Sequence, residues 1–520
     1  MTEDAVTSDY IVVGAGSSGS VVTRRLLDRG FTVHVIEAGP VDSNPDIHSM
    51  QGWPAMLHSS QDWAIMTTPQ RHANDRSLFW PRGKVLGGSS SMNGLIYVRG
   101  HASDYDGWAA QGCIGWDFES VLPLFLRSEN HADGASAWHG AGGPLPVERI
   151  TRPHPTSAAF VEACRALGYP MTDDFNGDQL AGVGYNHITS RNERRASAWQ
   201  SFVAPVLDHP ALTVTTDALV HRVMVRDGRA VGVQYSTSGT VREALADAEV
   251  VLSAGAIGSP KILLLSGIGA AAHLNAVGVP VVLDLPGVGE NLHDHPLVSN
   301  VYEAQRPMPP GHHNLLESQL FTCSRGWQGS GPDLQPLFMH IVYPAESYPV
   351  PEHGYTIAPG IVRPQSRGTL RLASADPENA PLCDPQLLAE RYDMEALLDA
   401  VEICREIGAS KAFKGWRKRE VAPGPEARTR DDLRRYVRRA VGTYHHQAGT
   451  CRMGIDDHAV VTPDLAVRGL AGLRVADASI MPAVTSGNTN APSIMIGEKA
   501  ADLLLGNETS HLKTSEAALT

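Results

Sequence analysis

Near the start of the chain stand residues whose types and spacing suit a diphosphate. Gly14-Ala15-Gly16-Ser17-Ser18-Gly19 follows the pattern G-x-G-x-x-G, and Glu37 lies 18 residues beyond Gly19. The first glycine permits a tight turn, the second lets the backbone approach a pyrophosphate, and the third lets a helix pack on a sheet. The N–H groups that open such a helix, here those of Ser17 and Ser18, attract phosphate oxygens. An acid closing the next strand, Glu37 with Ala38 after it, is placed to accept a hydrogen bond from a ribose hydroxyl. The glycines alone also suit a connector in a nucleotide-free α/β domain. Strand, helix, strand and acid in register favour a dinucleotide, without separating NAD from FAD.

A second group of residues suits proton transfer. Histidine titrates near neutrality and is the usual general base. The chain has 22 histidines, so a lone one reads as structural. The adjacent pair His445-His446 and the run His293-Asp294-His295 stand out. The latter has ligand-type residues but no fourth ligand at a recognisable spacing, so no metal is expected. The six cysteines (Cys113, Cys164, Cys323, Cys383, Cys404, Cys451) form no C-x-x-C pair, which argues against zinc-ribbon and thioredoxin-like readings. Their density is below that of a disulfide scaffold, so they are expected reduced and mostly buried.

These residues need elements to hold them. Residues 10–13 form an apolar run that predicts a strand ending at Gly14. A helix over 17–29 and a second strand over 31–36 complete a β-α-β unit. A long stretch rich in Trp, Pro, Gly and Ser follows, of the kind that packs over a ligand. Alternation over 212–225 and 230–235, and an apolar run over 248–252, predict further strands. A helix is expected to start over 260–266 with Pro260 in its first turn. From about 299 to 441 the pattern changes, with prolines at Pro307, Pro309 and Pro310, β-like runs such as 369–372, and helical segments between 394 and 441. A strand over 473–477 and a helix over 492–505 follow.

Bulk properties agree with a folded soluble protein. The chain has 520 residues, 42% hydrophobic and 19% charged, which suggests two to four domains. The net charge of −13 argues against nucleic-acid binding. The N-terminal MTEDAVTSDY lacks the basic start and apolar stretch of a secretory signal. No run reaches the ~20 apolar residues of a spanning helix. A cytoplasmic protein, monomer or homodimer, is expected.

Longer motifs carry a family resemblance. Residues 81–100, PRGKVLGGSSSMNGLIYVRG, resemble the first signature of the glucose–methanol–choline (GMC) oxidoreductases, and residues 255–269, GAIGSPKILLLSGIG, the second. HHQAGTCRMG, GLRVADASIMP and GNTNAPSIMIGEKAADLL resemble the family's C-terminal block. The motifs run in order over nearly the whole chain and are weakest over 300–430. The likeness is greatest to choline dehydrogenase-like and alcohol oxidase-like members.

The resemblance implies an α/β protein: a Rossmann-like FAD-binding domain with a discontinuous α+β substrate-binding domain on an antiparallel sheet. The expected FAD domain is 1–148, 193–298 and 442–508, the substrate domain 149–192 and 299–441, and 509–520 a flexible tail. FAD is implied, with Gly14, Gly16 and Gly19 at the pyrophosphate, Glu37 at the adenosine ribose and the Val220 backbone at the adenine. Gly87, Ser91, Asn93 and Gly94 would lie along the flavin or its ribityl chain. Asp477 and Ala478 would close on the phosphate and ribityl side, with Asn490 near the isoalloxazine. Taken alone, Val220 reads as a core strand residue, Asp477 as a turn-former or helix cap, and Asn93 and Asn490 as loop amides. Some relatives attach the flavin through a His one residue before Asn93. Here that residue is Met92, which implies non-covalent FAD.

His446 matches the family's catalytic His, and Asn488 its second position, held by His or Asn. The implied reaction oxidises a primary alcohol to the aldehyde: the α-hydride passes to flavin N5 and the hydroxyl proton to His446. The Asn488 amide would donate to the substrate oxygen. His445 is expected to line the pocket rather than act as base. Glu303 is a candidate partner for a cationic substrate such as choline, against a solvated-loop reading; no aromatic cage is legible. The electron acceptor is expected to be O₂, a quinone or another carrier. A lyase or decarboxylase on the same fold is the main alternative, since fold does not set function. A NAD-dependent dehydrogenase and a non-enzymatic FAD-binding protein are further ones.

Overall fold

The computed structural model describes residues 6–344 and 348–506. The tail expected over 509–520, and the outermost residues 1–5 and 507–508 assigned to the FAD domain, lie outside the described residues.

The first sheet grows from the predicted β-α-β unit. Strand β1 (Val6–Val13) leads through Gly14 into helix α1 (Ser17–Leu27), which returns to β2 (Val33–Ile36). Ile11, Val12, Val33 and Val35 have no exposure, as continuous apolar runs in a parallel sheet require. Strands β3 (Leu212–Thr215), β4 (Ala218–Arg226), β5 (Arg229–Thr237) and β6 (Thr240–Leu252) join them in the order β3-β2-β1-β6-β5-β4. β6 is longer than its apolar run at 248–252. Its polar first half pairs antiparallel with β5 and its apolar second half runs parallel to β1. Only the second half therefore reads as buried strand.

Helix α2 (Gly255–Leu265) begins five residues before Pro260, not at it. A mid-helix proline lacks the N–H that would bond the carbonyl four residues back. That carbonyl, Ala256, instead accepts the Thr450 hydroxyl at 2.6 Å. A tertiary contact thus accommodates a residue that locally signals a helix start.

A second, antiparallel sheet contains β7 (Asn300–Ala304), β8 (Ser318–Phe321), β9 (Leu337–Met339) and β10 (Gly354–Ala358). Helices α3 (Arg391–Ala409) and α4 (Arg430–Ala440) pack together beside it. Between them runs a strand the pattern did not predict, β11 (Arg417–Ala422), at the sheet edge. Its Arg-Lys-Arg-Glu start suits an edge strand and hides the periodicity. Strand β12 (Leu473–Val475) rejoins the first sheet beside β6, and helix α5 (Asn490–Leu504) packs on α1.

Side chains from the 299–441 stretch also reach the core of the first sheet. The strand pair Thr369–Arg371 and Leu382–Asp384 buries Leu370, Leu372 and Cys383 in the core of the first sheet, not the second. His187–Ile188 likewise pairs with Ile96–Tyr97 and Leu145–Arg149. Among the described residues all six cysteines are free, and only Cys323 is exposed. No helix among them is long and apolar enough to cross a membrane.

Candidate active site

The turn between β1 and α1 forms as its glycines dictate. Gly14 has φ +97°, and a Cβ there would lie 2.6 Å from the Ser253 carbonyl oxygen. A Cβ on Gly19 would lie 2.0 Å from the Gly14 carbonyl oxygen, so Gly19 serves packing rather than contact. Gly16 opens α1, whose first turn no side chain caps. Glu37 is buried; its carboxylate accepts the Ala15 and Gly39 N–H groups, each at 2.9 Å. Burial pushes its pKa up to about 7, against those hydrogen bonds.

One cavity of about 440 Å³ is bounded both by this turn and by the histidine pair, a size within the range of cofactor and ligand sites. Gly14, Gly16, Ser17, Ser18, Glu37, Ala38, Val220, Asn93, Gly94, Asp477, Ala478 and Asn490 all line it, as do His445, His446 and Asn488. An uncapped helix N-terminus, an acid and a glycine backbone on one wall are the donor set a dinucleotide needs. A Cβ on Gly16 would meet only the Gly88 Cα, at 4.0 Å, so the backbone there stands open to a ligand. The residues fit FAD.

Four expected site residues do not line the cavity. Gly19 is one. Gly87 and Ser91 shape the loop instead: a Cβ on Gly87 would lie 2.2 Å from Ser91 Oγ, which donates to the Leu86 carbonyl. Their neighbours Gly88 and Ser89 face the cavity. Glu303 is the fourth. On β7 it alternates with buried Tyr302 and Ala304 and turns outward, where Lys418 and Arg419 pair with it at 2.6 Å. Asp477 lines the cavity, but its carboxylate is committed elsewhere. It accepts Gly255 N–H at 2.9 Å, Ser259 Oγ at 2.5 Å and Ser479 N–H at 2.8 Å, and so caps α2.

The candidate proton-transfer residues, His446 and Asn488, are held by groups distant in sequence. Gln335 Nε2 donates to Asn488 Oδ1 at 3.2 Å. That leaves Asn488 Nδ2, a donor only, 3.3 Å from His446 Nε2. His446 Nε2 must therefore carry the lone pair and Nδ1 the proton. Nδ1–H then donates to His295 Nδ1 at 3.0 Å. Asp294 Oδ1 accepts the backbone N–H of both His295 and His446 at 2.7 Å, and Oδ2 accepts Gln447 Nε2 at 2.7 Å. His293 faces away, donating to the Asn291 carbonyl and accepting Val484 N–H. The His293-Asp294-His295 run is thus the scaffold of the histidine pair.

Burial, then the neighbouring His295, Arg82 and His445, hold the His446 pKa well below its ordinary value. Burial and Arg82 bring His445 down to about 3. The His445 ring lines the cavity and its backbone is left-handed, at φ +65°. Arg82 Nη2 secures that turn by donating to the His445 carbonyl at 2.5 Å. A neutral base beside an amide donor, both lining the cavity, can take a proton from a hydroxyl that meets both.

Sequence reasoning missed Arg82, Gln335 and the orienting role of His295. Gln335 lies in the stretch of weakest resemblance, and His295 is 151 residues from His446, so no spacing signal joins them.

The family description GMC oxidoreductase matches residues 8–297 and, in its C-terminal part, residues 364–497. The chain is a GMC oxidoreductase. It is 38% identical over 531 residues to an oxygen-dependent choline dehydrogenase of Brucella suis, covering 96% of each chain. It is 38% identical to an alcohol dehydrogenase [acceptor] of Pseudomonas putida, covering 96% and 95%. Pyridoxine 4-oxidase from Mesorbium loti superposes with a TM-score of 0.92 at 34% identity, over 97% of this chain and 99% of that one. As a member of its family this GMC oxidoreductase is an FAD-dependent enzyme acting on CH–OH donors. These relatives are oxidoreductases, and nothing among them favours a lyase or decarboxylase.

Proposed function

We propose that this GMC oxidoreductase oxidises a primary alcohol with an uncharged, apolar or aromatic body to the aldehyde. His446 Nε2 takes the hydroxyl proton and Asn488 Nδ2 donates to the substrate oxygen. Bound FAD supplies the hydride acceptor. The observation that carries this reading is the 3.3 Å pairing of His446 Nε2 with Asn488 Nδ2 beside an apolar wall. That wall comprises Trp53, Ile96, Leu297, Leu316, Met339 and Tyr343, all in or packed against one hydrophobic cluster. The charged groups on the cavity are Glu37, Arg82, Lys261, Glu378 and Asp477. Both carboxylates with resolved partners serve the backbone turns, and none of the five belongs to the apolar wall. A cationic head would find no carboxylate there.

Anaerobic rapid mixing with benzyl alcohol, a linear primary alcohol and choline tests this. The neutral alcohols are expected to bleach the flavin faster than choline; preference for choline would overturn the substrate class. Readmitting air then separates O₂ from a carrier as the acceptor. Met92 lines the cavity with a thioether, which does not form the His–flavin bond. Acid precipitation is therefore expected to leave the flavin in the supernatant.

A further inference from the structure

Outside the cavity, three histidines converge where the active site makes no use of them. One ligand atom from each of His131, His139 and His187 lies within 4.8 Å of the others, and all three residues are buried. We infer that His131, His139, His187 and Asp174 form a binding site for a divalent transition-metal ion of the zinc type.

Two of the spacings suit a tetrahedral ion. With bonds of about 2.0–2.1 Å, two ligands on tetrahedral zinc stand about 3.4 Å apart. His131 Nε2 lies 3.4 Å from His187 Nδ1, and His187 Nδ1 lies 3.5 Å from Asp174 Oδ1. The fourth corner, His139 Nε2, now hydrogen-bonds Asp174 Oδ2 at 2.7 Å, and that contact must open to about 3.4 Å as the ion enters. The ligand types, imidazole nitrogen and one carboxylate, are those zinc selects.

The surroundings are those of a metal ligand set. His139 Nδ1 faces Glu129 Oε1 at 2.9 Å. Glu129 is itself fixed by Arg99 Nη2 and the Gly140 N–H, each at 2.9 Å. A carboxylate on the far nitrogen of a ligating histidine orients the ring and raises its basicity. The ion must displace a proton, since His139 now bridges Glu129 and Asp174. Binding through His131 Nε2 moves that ring's proton to Nδ1 and gives up the 3.2 Å contact from the Asp133 N–H. The His131 and His139 rings, 3.9 Å apart, must also part slightly. Asp174 keeps its Asn176 N–H contact at 2.8 Å and, with 19% side-chain exposure, offers the route in.

None of the four ligands lines the catalytic cavity, so the ion is structural. It would staple Glu129–His131 and the loop carrying His139 to Asp174 and the strand His187–Ile188. That strand pairs with Ile96–Tyr97, and Ile96 is part of the substrate wall.

The test uses chelator-treated, desalted holoenzyme titrated with Zn²⁺ by calorimetry and thermal melting. One equivalent is expected to bind and raise the Tm. His131→Asn/His187→Asn should lose that equivalent and the Tm shift while retaining the flavin spectrum. Glu129→Gln should weaken binding about 10–100-fold. X-ray absorption on Zn²⁺-loaded wild type needs no variant and should show imidazole scattering from three rings. Failure to take up an equivalent, equal uptake by the double variant, or a first shell without imidazole would each overturn the site.

Discussion

At the scale of single residues, the site is a neutral histidine whose proton position is set by its neighbours. Gln335 orients Asn488, Asn488 leaves the lone pair on His446 Nε2, and His295 receives the proton on Nδ1. His446→Ala is expected to abolish flavin reduction by alcohol nearly completely in anaerobic rapid mixing. Asn488→Ala should slow it about 10²–10³-fold, the usual effect of removing such a donor. Because burial and nearby His295 and Arg82 hold His446 well below its ordinary pKa of about 6.5, the base stays free as pH falls through neutrality. The acid limb of kcat/KM should therefore lie below pH 6.5; a limb at or above 6.5 would contradict the assignment. His446 and Asn488 stand out as candidates in the sequence because they sit in ordered motifs that resemble the family's. Between the two readings of Glu303, the outward one follows from β7 pairing with β11, which carries Arg419.

At the scale of elements, two buried polar contacts join segments that sequence keeps apart. Thr450 supplies the donor that the Ala256 carbonyl lacks because of Pro260. Thr450→Val should cost about 1–3 kcal/mol, the desolvation of an unpaired buried carbonyl, read as a lower denaturant midpoint. Glu498 on α5 has no exposed side chain and takes hydrogen bonds from Arg25 on α1 and from Arg127 and Ser128, which end the helix Phe118–Ser128. Glu498→Ala leaves Arg25 facing that interior without its carboxylate. Arg25 is part-exposed and keeps Asp28 at 3.7 Å, and Arg127 keeps Asp502 at 2.9 Å, so a loss of about 1–3 kcal/mol is expected, measured the same way.

At the scale of the whole molecule, buried histidines set the response to acid. Burial lowers His34 to about 4 and His295, His340 and His445 to about 3, and holds His293 and His446 well down. Unfolded, each titrates near 6.5. Below that pH the unfolded chain binds more protons, so stability falls as pH falls. Glu37, raised to about 7, and Asp294, raised to about 6, act the other way, because the folded chain then binds the extra proton. His101, His131, His154, His187, His221, His273 and His313 are also held down, and Glu317, Asp393 and Asp477 are also raised. The lowered histidines outnumber the raised carboxylates, so the holoenzyme Tm should drop between pH 7 and pH 5; a rise over that interval would refute the balance.

The amino-acid sequence by itself determined the β1-α1-β2 turn, Glu37 and the order of motifs that carries His446 and Asn488. The turn and Glu37 rest on local rules: glycine's conformational freedom, strand and helix periods, and residues a few places apart. The roles of His446 and Asn488 are what the family resemblance implies. Tertiary structure alone decided which helix Asp477 caps, that Leu370, Leu372 and Cys383 join the first core, and that His295 orients His446. It also brought His131, His139 and His187 together from three separate segments. Such groups meet through sheet pairing and packing across the chain, and no spacing along the sequence records which distant side chains will share one buried space.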